Sequence, residues 1–170
     1  MAFLPLVIAP DPRLNQESQL VEKVDDELRD FLDIMLNTMY KEDGGGLAAV
    51  QVGVHKKIFI VDDESHGAKN PIFFINPEII AASDEIIVCD EGCLSFPDQR
   101  VEVARPAIVR VRYLDYDNNW QELEAGDYQG RAIQHELDHT NGITFVHRIG
   151  KMKRDIMLRK AGKIKKYNLK

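Results

Sequence analysis

Cysteine is nearly absent from this chain, with Cys89 and Cys93 alone among 170 residues. Two thiols cannot form a disulfide framework, and they suit a reducing compartment where sulfur stays free for metal or chemistry. Long apolar runs are missing too. The opening Met1-Ala2-Phe3-Leu4-Pro5-Leu6-Val7-Ile8 has no basic lead and is too short for an export signal or a membrane span. An unexported, cytoplasmic protein is expected. No repeat or low-complexity segment interrupts the chain. With 44% hydrophobic residues, it is long enough for one domain with a sizeable core and too short for two.

The formal charge of −6 hides a sharp asymmetry. Residues 151–170 carry nine Lys or Arg against the single acid Asp155, whereas the preceding body carries 13 basic and 27 acidic residues. A basic arm on an acidic body points to a polyanionic partner met by the tail; a solubilising helix face explains the same charges. The reading is therefore a catalytic domain over residues 1–150 and a basic helical tail over 151–170.

The stretch Gly130-Arg131-Ala132-Ile133-Gln134-His135-Glu136-Leu137-Asp138-His139 contains His-Glu-x-x-His. On a helix turning by about 100° per residue, His135 and His139 lie roughly 40° apart on neighbouring turns, so both imidazoles can reach one metal ion. Glu136 then flanks the metal, where a carboxylate can exchange a proton with a water. Asp127 is the expected N-cap, Ile133 and Leu137 an apolar pair, and Asn141-Gly142 the stop. Two histidines are too few for a catalytic site, so a third ligand must come from elsewhere.

In chain order, Leu28, Phe31, Leu32, Met35, Leu36 and Met39 form the stripe of an amphipathic helix capped by Asp25. Asp43-Gly44-Gly45-Gly46 ends it. Those glycines allow close approach, either of a ligand or of another element. Strands are predicted at Ile58–Val61, at Ile72–Ile75 closed by Asn76-Pro77, at Glu78–Ala81 and at Glu85–Cys89, with a polar loop over Asp62–Asn70. Glu91-Gly92-Cys93-Leu94-Ser95 reads as a strand end breaking into a loop. Cys93 could face the metal helix from there, or be an ordinary buried thiol. Residues 99–104 and 107–114 are further strands. Arg110 opposite Glu124, Val111 opposite Leu123, Arg112 opposite Glu122 and Leu114 opposite Trp120 make a hairpin with charges on one face and aliphatics on the other.

Three islands now stand in order: Gly44-x-Gly46-Leu47-Ala48-Ala49-x-Gln51, Glu91-Gly92-Cys93-Leu94-Ser95 and Gln134-His135-Glu136-x-Asp138-His139. Together they resemble the peptide deformylases, from about Asp11-Pro12-Arg13 through Gly142. The resemblance implies an α+β fold, with the metal helix surrounded by short, mostly antiparallel sheets between the N-terminal amphipathic helix and the basic C-terminal one. It implies a metal on Cys93, His135 and His139, Glu136 as acid and base, and Gln51 with the Leu94 backbone N–H as oxyanion donors. Substrate contacts from Gly44, Gly45, Gly46, Glu91, Arg100 and Arg131 are implied as well. The implied metal is Fe²⁺, replaceable by Zn²⁺, Ni²⁺ or Co²⁺, and the implied reaction removes formyl from formyl-methionyl nascent peptides. The tail is then expected to meet ribosomal RNA phosphates, with no role on DNA or in a membrane.

The chain departs from the family at Gly45, where a bulky aliphatic usually helps wall the methionine pocket; isoleucine there is expected to tighten selection for Met. Thr140 and Thr144 replace leucines, and His147 stands where an acid is common. A zinc peptidase remains a rival, needing Asp155 or His147 as third ligand. A non-enzymatic RNA-associated module with a closed structural metal is another, needing Cys89 as fourth.

Overall fold

The computed structural model describes residues 2–62, 67 and 69–168, with side chains to 164. Much of the loop expected over Asp62–Asn70 therefore lies outside the described residues. Among the described residues three α-helices, α1 (Asp26–Lys41), α2 (Asp127–Thr140) and α3 (Lys151–Asn168), accompany seven strands. Strands β1 (Gly46–Ala48), β2 (Ile58–Val61), β3 (Ile72–Ala82), β6 (Val109–Leu114) and β7 (Trp120–Ala125) form one antiparallel sheet in the order β1-β2-β3-β6-β7. β4 (Ile86–Gly92) and β5 (Arg100–Pro106) form a second, two-stranded one. The fold is α+β with antiparallel sheets.

Helix α1 forms where the stripe predicts, with the Asp25 carboxylate accepting from Leu28 N at 3.0 Å. Its Leu28, Leu32, Met35 and Met39 pack on Leu47, Ile58, Ile60 and Ile75 of the large sheet. The opposite face of that sheet, with Ala48, Phe59, Val61, Phe74 and Val111, packs on Ile133 of α2. Helices on both faces leave no wet side to the inner strands. That is why Ile58–Val61 is buried throughout instead of alternating.

The strand expected to close at Asn76-Pro77 runs on to Ala82, with a register shift between Ile75 and Glu78. Asn76 adopts φ 50° there, and its amide bonds both the N–H and the carbonyl of Val21, so Pro77 sits at a bulge and not at an end. The expected hairpin pairs in the predicted register, Arg110 with Glu124 through Leu114 with Trp120. Its ion pairs differ, since Arg110 and Arg112 both reach Glu122. Asp127 is not the cap of α2 either; Gly126 holds that position and Asp127, at φ 46°, is the first helical residue.

The tail is helical over Lys151–Asn168, and it is docked. Met157 and Ala161 are buried in a third cluster with Val7, Leu14, Phe96, Val103 and Phe145. Gln99 Nε2 donates to Met157 O at 3.2 Å, fastening the loop after Cys93 to α3. A boundary at residue 150 is therefore crossed by shared core. Among the described residues no helix is long and apolar enough to cross a membrane.

Candidate metal centre

Helix α2 carries His135 and His139 on one face, and the turn leaving β4 brings Cys93 against them. The Sγ of Cys93 lies 3.3 Å from Nε2 of His139, and one donor atom from each of the three residues falls within 4.8 Å of the others. Both histidines are buried and Cys93 is partly so. Asp155, His147 and Cys89 are not part of this group, so the third ligand of a zinc peptidase and the fourth of a closed site are missing among the described residues. The three residues fit a metal ion: a sulfur and two imidazoles converge, and Glu136 Oε2, bordering the same cavity, is buried without a hydrogen-bond partner. Burial also holds His139 well below its ordinary pKa, which keeps its ring neutral for ligation.

The glycine triplet is packed by the side chains of this centre. A Cβ on Gly46 would stand 2.6 Å from Oε1 of Glu136, and one on Gly44 would stand 2.7 Å from Cδ1 of Leu94. A Cβ on Gly45 would overlap the Tyr128 hydroxyl. Close approach, the second of the two readings of these glycines, is thus made by other elements. It also corrects the expectation for isoleucine at position 45, because Tyr128 already occupies that volume. Glu136 is buried against the triplet, and burial pushes its carboxyl up to about 7. A carboxyl in that range exchanges protons readily near neutral pH.

Behind the histidines runs a charged chain that sequence reasoning missed. The Nδ1–H of His135 donates to Oε2 of Glu91 at 2.9 Å; Arg105 grips both oxygens of Glu91 and reaches Asp138 at 2.9 Å; Arg148 grips Asp138 from outside. The Arg105 side chain is 1% exposed. Burial alone would raise Glu91, but the bonds from His135 and Arg105 outweigh it and hold the carboxyl at about 2. Glu91, expected as a substrate contact, borders the cavity yet has both oxygens engaged here. One signal for Arg105 was available. It shares a strand face with Val101 and Val103, and a charge on an apolar face calls for a buried partner.

Gln51 is buried beside the sulfur. Its Oε1 accepts from Ala48 N at 2.8 Å, which turns Nε2 toward Ser95 Oγ at 3.2 Å and Cys93 Sγ at 3.5 Å. Leu94, Gly44, Gly45, Gly46, Arg100 and Arg131 border the same cavity of about 1010 Å³ as Cys93, His135 and Glu136. Arg100 pairs with Asp90, and Arg131 lies over the Tyr128 ring at 5.7 Å. Gln51 and His139 do not border this cavity themselves, but both lie against Cys93, which does.

Comparison with known proteins agrees with this geometry. Residues 3–155 match the polypeptide deformylase family. The chain is 49% identical to a peptide deformylase of Rickettsia canadensis, over 97% of this chain and 98% of that one, and 43% identical to one of Wolbachia pipientis over 98% of each. A crystal structure of peptide deformylase from Ehrlichia chaffeensis superposes with a TM-score of 0.93 at 38% identity, covering 99% of this chain and 100% of that chain. Another, in complex with actinonin, gives 0.91 at 42% identity, covering 96% and 98%. The chain belongs to the polypeptide deformylase family, hydrolases that remove the N-formyl group from nascent polypeptides.

Proposed function

We propose that Cys93, His135 and His139 hold one Fe²⁺, and that the residues around it deformylate the formyl-methionyl end of nascent peptides. The observation that carries this is Oε2 of Glu136, a carboxylate oxygen buried without a partner on the helix that supplies both histidines. A metal bound there supplies Lewis acidity, lowering the pKa of a water from about 15.7 toward 7. Glu136 takes the proton of the attacking water and delivers it to the amine that leaves. As charge develops on the formyl oxygen, Gln51 Nε2 and the Leu94 backbone N–H donate to it, with Gln51 already oriented through Ala48. Gly44, Gly45, Gly46, Arg100 and Arg131 line the path of the peptide, and Glu91 acts behind His135.

A thiolate with two imidazoles accepts several divalent ions, so Zn²⁺, Ni²⁺ or Co²⁺ should support the fold of the site. Iron is favoured by the resemblance. The basic helix α3 supports a further part of the proposal, contact with ribosomal RNA in the cytoplasm where the substrate emerges. Turnover of formyl-Met peptides beside unformylated and internally cleavable ones tests the reaction: cleavage confined to the formyl group is expected, and internal cleavage overturns it. X-ray absorption tests the site, with one sulfur and two nitrogens expected. Two sulfurs would reject it.

A further inference from the structure

The charged chain behind the histidines ends at the surface, on Arg148. Its guanidinium is 40% exposed, while the Asp138 carboxylate that it holds is 8% exposed. Nε of Arg148 meets Oδ2 at 2.5 Å and Nη2 meets Oδ1 at 2.6 Å. Arg105 supplies the other bond to Asp138, from Nη1 to Oδ2 at 2.9 Å, and gives its Nε and Nη2 to the two oxygens of Glu91. Among the described residues, Oδ1 of Asp138 therefore accepts from Arg148 alone. The chain position of Arg148 matters as well. It ends the 3₁₀ turn Phe145–Arg148, whose buried Phe145 meets the His135 ring edge-on at 5.7 Å between centroids and shares a cluster with Met157 and Ala161 of α3. One turn of chain thus reaches the same histidine by two routes, ring packing and charge.

We infer that Arg148 is a positioning residue for the metal centre: by neutralising Asp138 it keeps Arg105 committed to Glu91, and so keeps Nε2 of His135 aimed at the ion. This rests on the metal site proposed above. Two carboxylates and two guanidiniums balance in the buried interior. Without Arg148, two acids compete for one guanidinium, and Oδ1 of Asp138 is left without a donor. Each bond that Arg105 then turns toward Asp138 is withdrawn from Glu91, the acceptor that holds Nδ1–H of His135 at 2.9 Å. The role belongs to charge and not to bulk. Methionine at 148 keeps the stem and leaves Asp138 in excess, whereas asparagine at 138 removes the carboxylate that competes for Arg105. Together the two changes leave one acid, Glu91, facing one guanidinium, Arg105.

The test uses Co²⁺ as the probe ion on the full chain. Wild type, Arg148→Met and Arg148→Met/Asp138→Asn are compared by chelator competition and by the visible absorption bands of the bound ion, which report the geometry of its ligands. Wild-type protein that takes up no Co²⁺ overturns both the metal site and this inference. Given uptake, Arg148→Met should bind Co²⁺ about tenfold more weakly, the lower end of the loss found for residues that orient metal ligands, and should shift the bands. Adding Asp138→Asn should return affinity and bands close to wild type, a non-additivity that a merely structural role does not produce. Wild-type affinity or an unshifted spectrum in Arg148→Met, or a loss that the second change does not recover, overturns the inference and leaves the metal site standing. If Arg148→Met does not fold, the double variant decides: wild-type affinity and bands in it carry the inference, and a weaker site or a failure to fold overturns it.

Discussion

The Nδ1 of His135 lies 2.9 Å from Oε2 of Glu91, and that bond leaves Nε2 as the nitrogen offered to a metal. Partners of this kind orient a ligating ring and raise its basicity. Glu91→Gln keeps the shape but removes the charge that holds the N–H. Metal affinity should fall by about 10–100-fold, as for other residues that orient metal ligands. Competition against a chelator measures it, and wild-type affinity would show that His135 is oriented by packing alone.

Glu136 gives a separable outcome, because its carboxylate is not among the three converging donors. Glu136→Ala should keep a full complement of metal while turnover of formyl-Met peptide disappears. Metal analysis and peptide kinetics on one preparation decide the matter. Turnover that survives in metal-replete variant removes Glu136 from the mechanism.

Arg105 joins two buried acids, so its loss leaves Glu91 with the His135 N–H, Asp138 with Arg148, and no guanidinium between the two carboxylates. Breaking a buried ion pair from one side costs about 3–5 kcal/mol. Arg105→Met should lower the unfolding free energy of the protein by that order in denaturant titration. A loss well under 1 kcal/mol would mean that water enters and solvates the two carboxylates.

Deleting α3 would confound charge with core, since Met157 and Ala161 are buried beneath it. The exposed charges Lys153, Arg159 and Lys163 can be changed instead. Replacing all three with Gln should weaken ribosome binding and reduce the slope of log affinity against log salt by roughly 2–3, while formyl-peptide turnover stays near wild type. Binding with an unaltered slope would reject α3 as the RNA contact.

What could be read in the sequence is what depends on neighbours along the chain. The stripe and cap of α1 follow from helical periodicity and one carboxylate three residues before the N–H that donates to it. The β6–β7 register follows from alternation about a short turn, and the two histidines of α2 follow from their spacing. The three-island pattern carried Cys93 to the same site. The rest depended on partners that only folding brings together. β3 passes through Asn76-Pro77 because the Asn76 amide is held by Val21, 55 residues away. Arg105 is buried because Glu91 and Asp138, 14 and 33 residues away, meet it from two different elements. Gly45 looked like an empty place in a pocket wall until α2 laid Tyr128 across it. Periodicity and spacing are local quantities that a chain displays before it folds; the pairing of a buried charge and the filling of a volume are properties of the packed interior, and tertiary structure alone decided them.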